Sequence, residues 1–255
     1  MLEVEVFKLF ALVMVRFSGL MVSAPVLGSA NYPIRAKIGL AALAALLVTP
    51  MLPALGHPLP GDPLSLTLLG AGEFLIGLMI GFVVTLVFAA IQVGGQIMDM
   101  QSGFGMMNVF NPAMETQFPI FGFFLFIIAV LYLLTINGHH TMIRALVATY
   151  QHIPVGGFAP HRELMAEAAL WGRAMFVDGV MIAAPLAAAM LLAYSTMGLL
   201  GRVVPQIHLF VVGFPITIAT GLFLMAFVLG VYVRLLDGML FRTFQSLETL
   251  IRGMG

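Results

Sequence analysis

The sequence contains no cysteine. That excludes disulfides, thiolate metal centres and thiol nucleophiles, and it removes the usual clue to the redox character of the compartment. Charge is nearly as scarce. Only 9% of the 255 residues are Asp, Glu, Lys or Arg, against about a quarter in ordinary soluble domains. The eleven basic and eleven acidic side chains cancel, so bulk charge offers nothing to nucleic acid or to an anionic surface. Also missing are a glycine-rich phosphate loop followed by Lys and Ser or Thr, and a GxSxG elbow. No convergent set of reactive groups replaces them. The chain therefore reads as a non-enzyme, with no catalytic residue, cofactor or metal expected.

What is present is apolar. Hydrophobic residues make up 61% of the chain and the mean hydropathy is +1.09, which points to an integral membrane protein of all-α class. Six runs approach the ~20 residues that cross a bilayer as helix: Leu9 to Ala30, Ile38 to Gly56, Leu64 to Val93, Pro119 to Ile136, Ala174 to Leu200 and Ile207 to Leu236. Nothing between them is long enough for a separate soluble core, so they read as one membrane module. Glu3 and Glu5 precede Lys8, which is unlike a cleaved signal.

All but the fourth of the six runs are broken by proline or charge. Pro25, Pro50, Pro53, Pro185 and Pro215 interrupt them, and Arg16, Glu73 and Asp178 place charge inside three of them. Ionisable groups at such depth face protein or water, and kinked backbone is tolerated where protein satisfies it. Each of the three is read either as a paired structural side chain or as a functional one. The basic residues favour cytoplasmic termini, with seven on that side and three on the other, yet Arg35 and Lys37 in the first loop run against the rule. Such a mixed pattern suits a protein that does not cross the membrane in the ordinary way.

Local patterns add detail. In "GLMIG", Gly77 and Gly81 let helix backbones approach closely, and intramolecular packing is the preferred reading over a dimer. In "NGHHTMIRALVATYQH" the Asn137-Gly138 pair reads as a helix stop. His139 and His140 then open the next helix, and as neighbours they should point apart rather than share a metal. From Arg234 to Gly253, Arg234, Asp237, Arg242, Gln245, Glu248 and Arg252 share one arc opposite Leu236, Met239, Leu240, Phe244, Leu247, Leu250 and Ile251. That is an amphipathic helix suited to an interface or a partner groove.

One loop does not behave as a loop should. "MQSGFGMMNVFNPAMETQ", Met100 to Gln117, holds four methionines, two phenylalanines and two glycines, and no Lys or Arg. Methionine is flexible and polarizable and can repack around varied shapes. Apolar constrictions close pores by dewetting, and Gly103 and Gly105 permit backbone turns denied to other residues. The composition fits a deformable apolar seal; the plainer alternative is a re-entrant loop packed only for structure.

The stretch "GLLGRVVPQIHLFVVGFPITIATGL", Gly198 to Leu222, resembles the FliR family, the flagellar member of the R/T-type export-gate proteins of type III secretion. Other pieces match in order: Val15 to Gly28 and the run from Tyr32, Gly72 to Phe82, Gly94 to Pro112, and Asn137 to Gly156. The resemblance spans nearly the whole chain. It departs from the family at His208, where Asn is usual, and at Asn111, where Asp is common; the latter removes a charge from the loop.

The resemblance implies one copy within a helical hetero-oligomer with P-type and Q-type (FliP-like and FliQ-like) proteins and an FlhB-like switch protein. That assembly would sit in the bacterial inner membrane, at the flagellar basal body, as the gate through which unfolded flagellar subunits are exported. It implies residues 1–161 as a P-like part and 162–255 as a Q-like hairpin. The loop, about 100–117, would be a pore plug through Gly103, Phe104, Gly105, Met106, Met107 and Phe110. Arg202, Pro205, Gln206, Phe214 and Pro215 would form an architectural broken-helix motif. Three alternatives stand beside it: a virulence-type gate subunit, a small transporter relaying protons through Glu73 and Asp178, and a pure assembly scaffold.

Overall fold

The structure, a computed structural model, describes residues 2–53, 59–106, 119–158, 162–204 and 209–253. Among the described residues there are seven α-helices and no strand: α1 (Leu2–Ser23), α2 (Ile34–Val48), α3 (Pro63–Ser102), α4 (Ile120–Thr135), α5 (Gly138–His152), α6 (Arg162–Val203) and α7 (Leu209–Gly253). Short 3-10 turns follow α2 at Thr49–Met51 and α3 at Phe104–Met106. Five helices are long and apolar enough to cross a membrane, or six if α4 and α5, bent by 63° at their junction, count as one broken span. The chain is thus an all-helical polytopic membrane protein.

Local chemistry sets the boundaries. Pro25 cannot continue the α1 ladder, and that helix ends at Ser23, two residues before it. Pro50 closes α2 in the same way, turning its end into a 3-10 turn. Asp62 and Pro63 start α3: the Asp62 carboxylate accepts the Ser65 N–H at 2.8 Å, and Pro63 supplies the preset φ of a first helical residue. The bonds from Ser65 hold the Asp62 carboxyl below its ordinary pKa. Asn137 adopts the left-handed conformation, φ 56°, and α5 opens directly behind it at Gly138, the stop expected there. Pro185 and Pro215, by contrast, lie inside continuous helices.

Two sequence expectations change. The helix before the loop runs on to Ser102, so Met100, Gln101 and Ser102 are helical and the loop begins only at Gly103. The resulting 40-residue α3 would be about 60 Å long at 1.5 Å per residue, twice a bilayer core. On α7 the polar arc is exposed as expected at Arg234, Asp237, Arg242, Gln245 and Glu248, but Leu236, Met239, Leu240, Leu247, Leu250 and Ile251 are all buried within the chain. Phe244 is half-buried, so most of that face is covered within the chain.

Two compact units are present, one formed by Met1–Leu86, Leu133–Trp171 and Phe241–Gly255, the other by Val87–Tyr132 and Gly172–Leu240. Each draws chain from both sides of position 161. In the first, α1 packs on α2 and crosses α3 at backbone contact. A Cβ on Gly77 would collide with the Arg16 carbonyl and stand 2.9 Å from the Leu20 nitrogen, and one on Gly19 would collide with the Phe74 carbonyl. The Gly77–Gly81 pair therefore serves packing within the chain, as the preferred reading had it.

In the second unit the adjacent pair Gly94-Gly95 serves two partners at once. Gly94 lies against the Gly179 carbonyl of α6, 2.7 Å from where its Cβ would sit, and Gly95 lies against Gly122 of α4. Tyr232 of α7 ties the same bundle by donating to the Leu125 carbonyl at 2.8 Å.

Because the obstacle at Gly77 is backbone, which cannot rotate away, Gly77→Val should displace α1 and lower stability by at least the ~1–3 kcal/mol of an over-packed core. Gly39 is the control, since no atom lies within 4 Å of the place its Cβ would take. Gly39→Ala should be neutral or stabilising by up to ~1 kcal/mol, both read as membrane-inserted level and thermal midpoint in detergent.

Candidate functional site

Two polar nodes and the start of the loop contain most of the described side chains that the sequence singled out. In the first unit Arg16 and Glu73 have no exposed surface. Arg16 Nε donates to Glu73 Oε2 at 2.6 Å, Nη1 donates to Thr149 Oγ1 at 2.8 Å and to the Ile153 carbonyl at 3.3 Å, and Nη2 donates to that same carbonyl at 3.2 Å. The guanidinium also stacks 3.9 Å from the centre of the Tyr150 ring. The other Glu73 oxygen accepts the Gly156 N–H at 2.8 Å. With both oxygens engaged, Glu73 is a structural tie between α1, α3 and the segment that follows α5. Asp178 is half-buried on α6, in the second unit.

The histidines behave differently from expectation. The rings of His139 and His140 lie 4.1 Å apart, centre to centre, tilted by 43°, where neighbours on a helix were expected to diverge. They occupy the first turn after the left-handed Asn137, where helical side-chain directions are not yet imposed by a preceding turn. Among the described residues no group of three His, Asp or Glu side chains converges for a metal.

The loop starts in the second unit on a stripe of α3. Gly94, Gly95, Met98, Asp99 and Ser102 fall on one helical face, and the last three are buried. Asp99 reaches across the loop to the start of α4: Oδ1 accepts the Phe121 N–H at 3.0 Å and Oδ2 the Gly122 N–H at 3.2 Å. Gly103 then turns the chain with φ +90°, a conformation that strains any L side chain. A Cβ there would also press at 3.4 Å on the Phe214 ring and at 3.3 Å on Thr217 Oγ1. Phe104 meets Phe121 edge to face, 5.2 Å between centres and 85° between planes. Tyr194 of α6 donates to the Gln101 carbonyl at 2.5 Å.

The structure therefore brings the loop's first residues, Gly103 and Phe104, against Phe214 of the expected architectural motif and against α4. Gly105 follows in the 3-10 turn beside the Met100 backbone, and Met106 closes that turn. Met107 and Phe110 lie outside the described residues, as do Pro205 and Gln206. Arg202 is in the last turn of α6 and exposed, Pro215 is inside α7, and the two helices are separated between Val203 and Leu209.

Sequence reasoning missed Asp99 and the mate of Arg16. A signal for Asp99 existed: Gln117-Phe118-Pro119 precedes α4 with no Ser, Thr, Asp or Asn to cap its free N–H groups. An acceptor had to come from elsewhere.

Fold and composition together define a polytopic helical membrane protein. The family model for bacterial export proteins, family 1, matches residues 7–243. Similar curated proteins are the flagellar biosynthetic protein FliR of Escherichia coli strain K12, 33% identical over 213 residues and covering 84% of this chain and 81% of the relative, and that of Bacillus subtilis strain 168, 28% identical over 261 residues and covering 99% and 98%. FliR of Caulobacter vibrioides is 31% identical over 221 residues, covering 85% and 86%. The chain belongs to the FliR family of bacterial export proteins, and with that membership comes its coarse role in flagellar biosynthesis and export.

Breaking a buried pair leaves an uncompensated charge, which costs about 3–5 kcal/mol. Arg16→Ala and Glu73→Ala should each cost that much, measured as thermal or denaturant midpoints in detergent, whereas Arg16→Met combined with Glu73→Leu should recover a large part of the loss. Single losses under ~1 kcal/mol would be the behaviour of an exposed pair and would contradict the assignment.

Proposed function

We propose that this chain is a non-enzymatic subunit of the flagellar type III export gate, the passage for unfolded flagellar proteins across the bacterial inner membrane at the basal body. Its partners are P-type and Q-type gate proteins and an FlhB-like switch protein. In this reading residues 1–161 form the P-like part and 162–255 the Q-like hairpin, whose two helices are joined by the break around Pro205 and Gln206. The loop from Gly103 onward is the plug, formed by Gly103, Phe104, Gly105, Met106, Met107 and Phe110.

The observation that carries the plug is where the loop begins. Gly103 and Phe104 lie against Phe214 and Phe121 inside a helical unit, so the apolar residues that follow leave from an apolar setting and not from a polar surface. Soft, polarizable side chains in such a setting can seal by excluding water and can repack when a chain passes. Family membership supplies the setting in which a seal is needed. Engagement of both Glu73 oxygens argues against the proton-relay alternative, since a relay needs a carboxylate that can exchange its proton.

Deleting Gly103 to Asn111 should leave an assembled complex that leaks. In vesicles containing purified gate complex, ion flux should rise well above that of the unmodified complex. Unchanged flux in an assembled mutant would remove the plug role.

A further inference from the structure

We propose that Asp99 is the positioning residue that clamps the two ends of the loop together and so sets how tightly the plug closes; this rests on the plug reading above. Three observations converge on it. Asp99 is 4% exposed in an apolar helix, a setting in which a carboxylate is costly unless hydrogen-bonded. Both of its oxygens are used, and both go to backbone N–H groups 22 and 23 residues further along the chain.

Those two groups are significant by position. The Pro119 carbonyl accepts the Phe123 N–H at 2.9 Å, which makes Pro119 the capping residue of α4 and puts Phe121 and Gly122 at its second and third helical positions. These are the N–H groups that a capping side chain normally satisfies. Proline has no side chain that can do so, and Asp99 takes the place from another helix. The charge suits the site, because an anion at a helix start is favoured by the aligned peptide dipoles, and bonds from N–H groups to a carboxylate are stronger than neutral ones.

Around this clamp the two helices have no slack. Gly95, one turn before Asp99, lies at backbone contact with Gly122. Beyond Asp99, Phe104 closes on Phe121 from the loop side. Phe121 and Gly122 are thus held through their N–H groups by Asp99, through the Gly122 backbone by Gly95 and through the Phe121 ring by Phe104. With α3 and α4 joined at the base of the loop, both of its ends stay in place. Without the clamp the start of α4 is freed, and the Phe104–Phe121 contact loses its fixed partner.

The test uses the assembled gate complex in vesicles of phosphatidylethanolamine and phosphatidylglycerol, with two readouts: hydrogen exchange at the start of α4, and ion flux in the absence of exported protein. Asp99→Ala should speed exchange at Phe121 and Gly122 by about tenfold or more, the factor expected from losing a charge-assisted bond, and should raise flux. Asp99→Asn, which keeps one acceptor oxygen, should fall between it and the unmodified complex on both readouts. If Asp99→Ala does not assemble, Asp99→Asn decides on the same two readouts.

Unaltered exchange overturns the clamp whatever the flux. Faster exchange with unaltered flux, in a system where the loop deletion does leak, overturns the claim that the clamp sets closure and leaves the plug reading intact. If the loop deletion does not leak either, it is the plug reading that fails. The clamp is then upheld by faster exchange, graded from Asn to Ala, and overturned by its absence.

Discussion

A guanidinium with no exposed surface must have its donors met inside the protein, and the first unit is arranged around meeting those of Arg16. Its four hydrogen bonds reach a carboxylate on α3, a hydroxyl on α5 and a carbonyl just beyond α5. A slip of α1 by one helical turn, about 5.4 Å, would part Arg16 from Glu73 and bring side chains up against backbone that Gly19, Gly77 and Gly81 now allow to approach closely. Polar pairing and glycine packing thus specify the same register. Burying such a pair adds little net stability over an apolar core; what it supplies is a single permitted alignment.

The second unit follows the same logic with an anion. Asp99 is the buried charge, the uncapped start of α4 is its partner, and Gly95 against Gly122 provides the close approach. Tyr194 and Tyr232 add two hydroxyl-to-carbonyl ties from α6 and α7. The outcome is a firmly held frame at the point where the loop leaves α3 and where α4 begins. On the gate reading proposed above a division between frame and seal is needed, because a frame must persist while a seal gives way and returns. Methionine and glycine suit the yielding part, and paired charges and helix-backbone contacts suit the fixed one.

Much of the fold was legible because it rests on local rules. Apolar run length located the long helices and Asn137-Gly138 marked the bend between α4 and α5, while Pro25 and Pro50, read as interruptions inside two runs, in fact end two helices. The sequence also isolated Arg16 and Glu73 as charges out of place, but nothing in their spacing paired them, since 57 residues separate the two and helical period says nothing about which helices cross. The loop boundary was missed by three residues because composition does not say where a helix stops: α3 runs on to Ser102, with Gly94 and Gly95 packed against two neighbouring helices. The apolar face of α7 looked available for a related reason: amphipathicity announces that a face will be covered, and only the tertiary structure says by what.

On the plug reading proposed above, the apolar loop starting at Gly103 closes the path that an exported chain takes. The most direct measurement is a photo-crosslinking side chain at Phe104 in assembled, exporting complexes. Adducts with the exported flagellar chain are expected while it is in transit, replaced by adducts with neighbouring residues of the gate when export stops. Adducts with lipid or gate residues alone, unchanged while export runs, would contradict it.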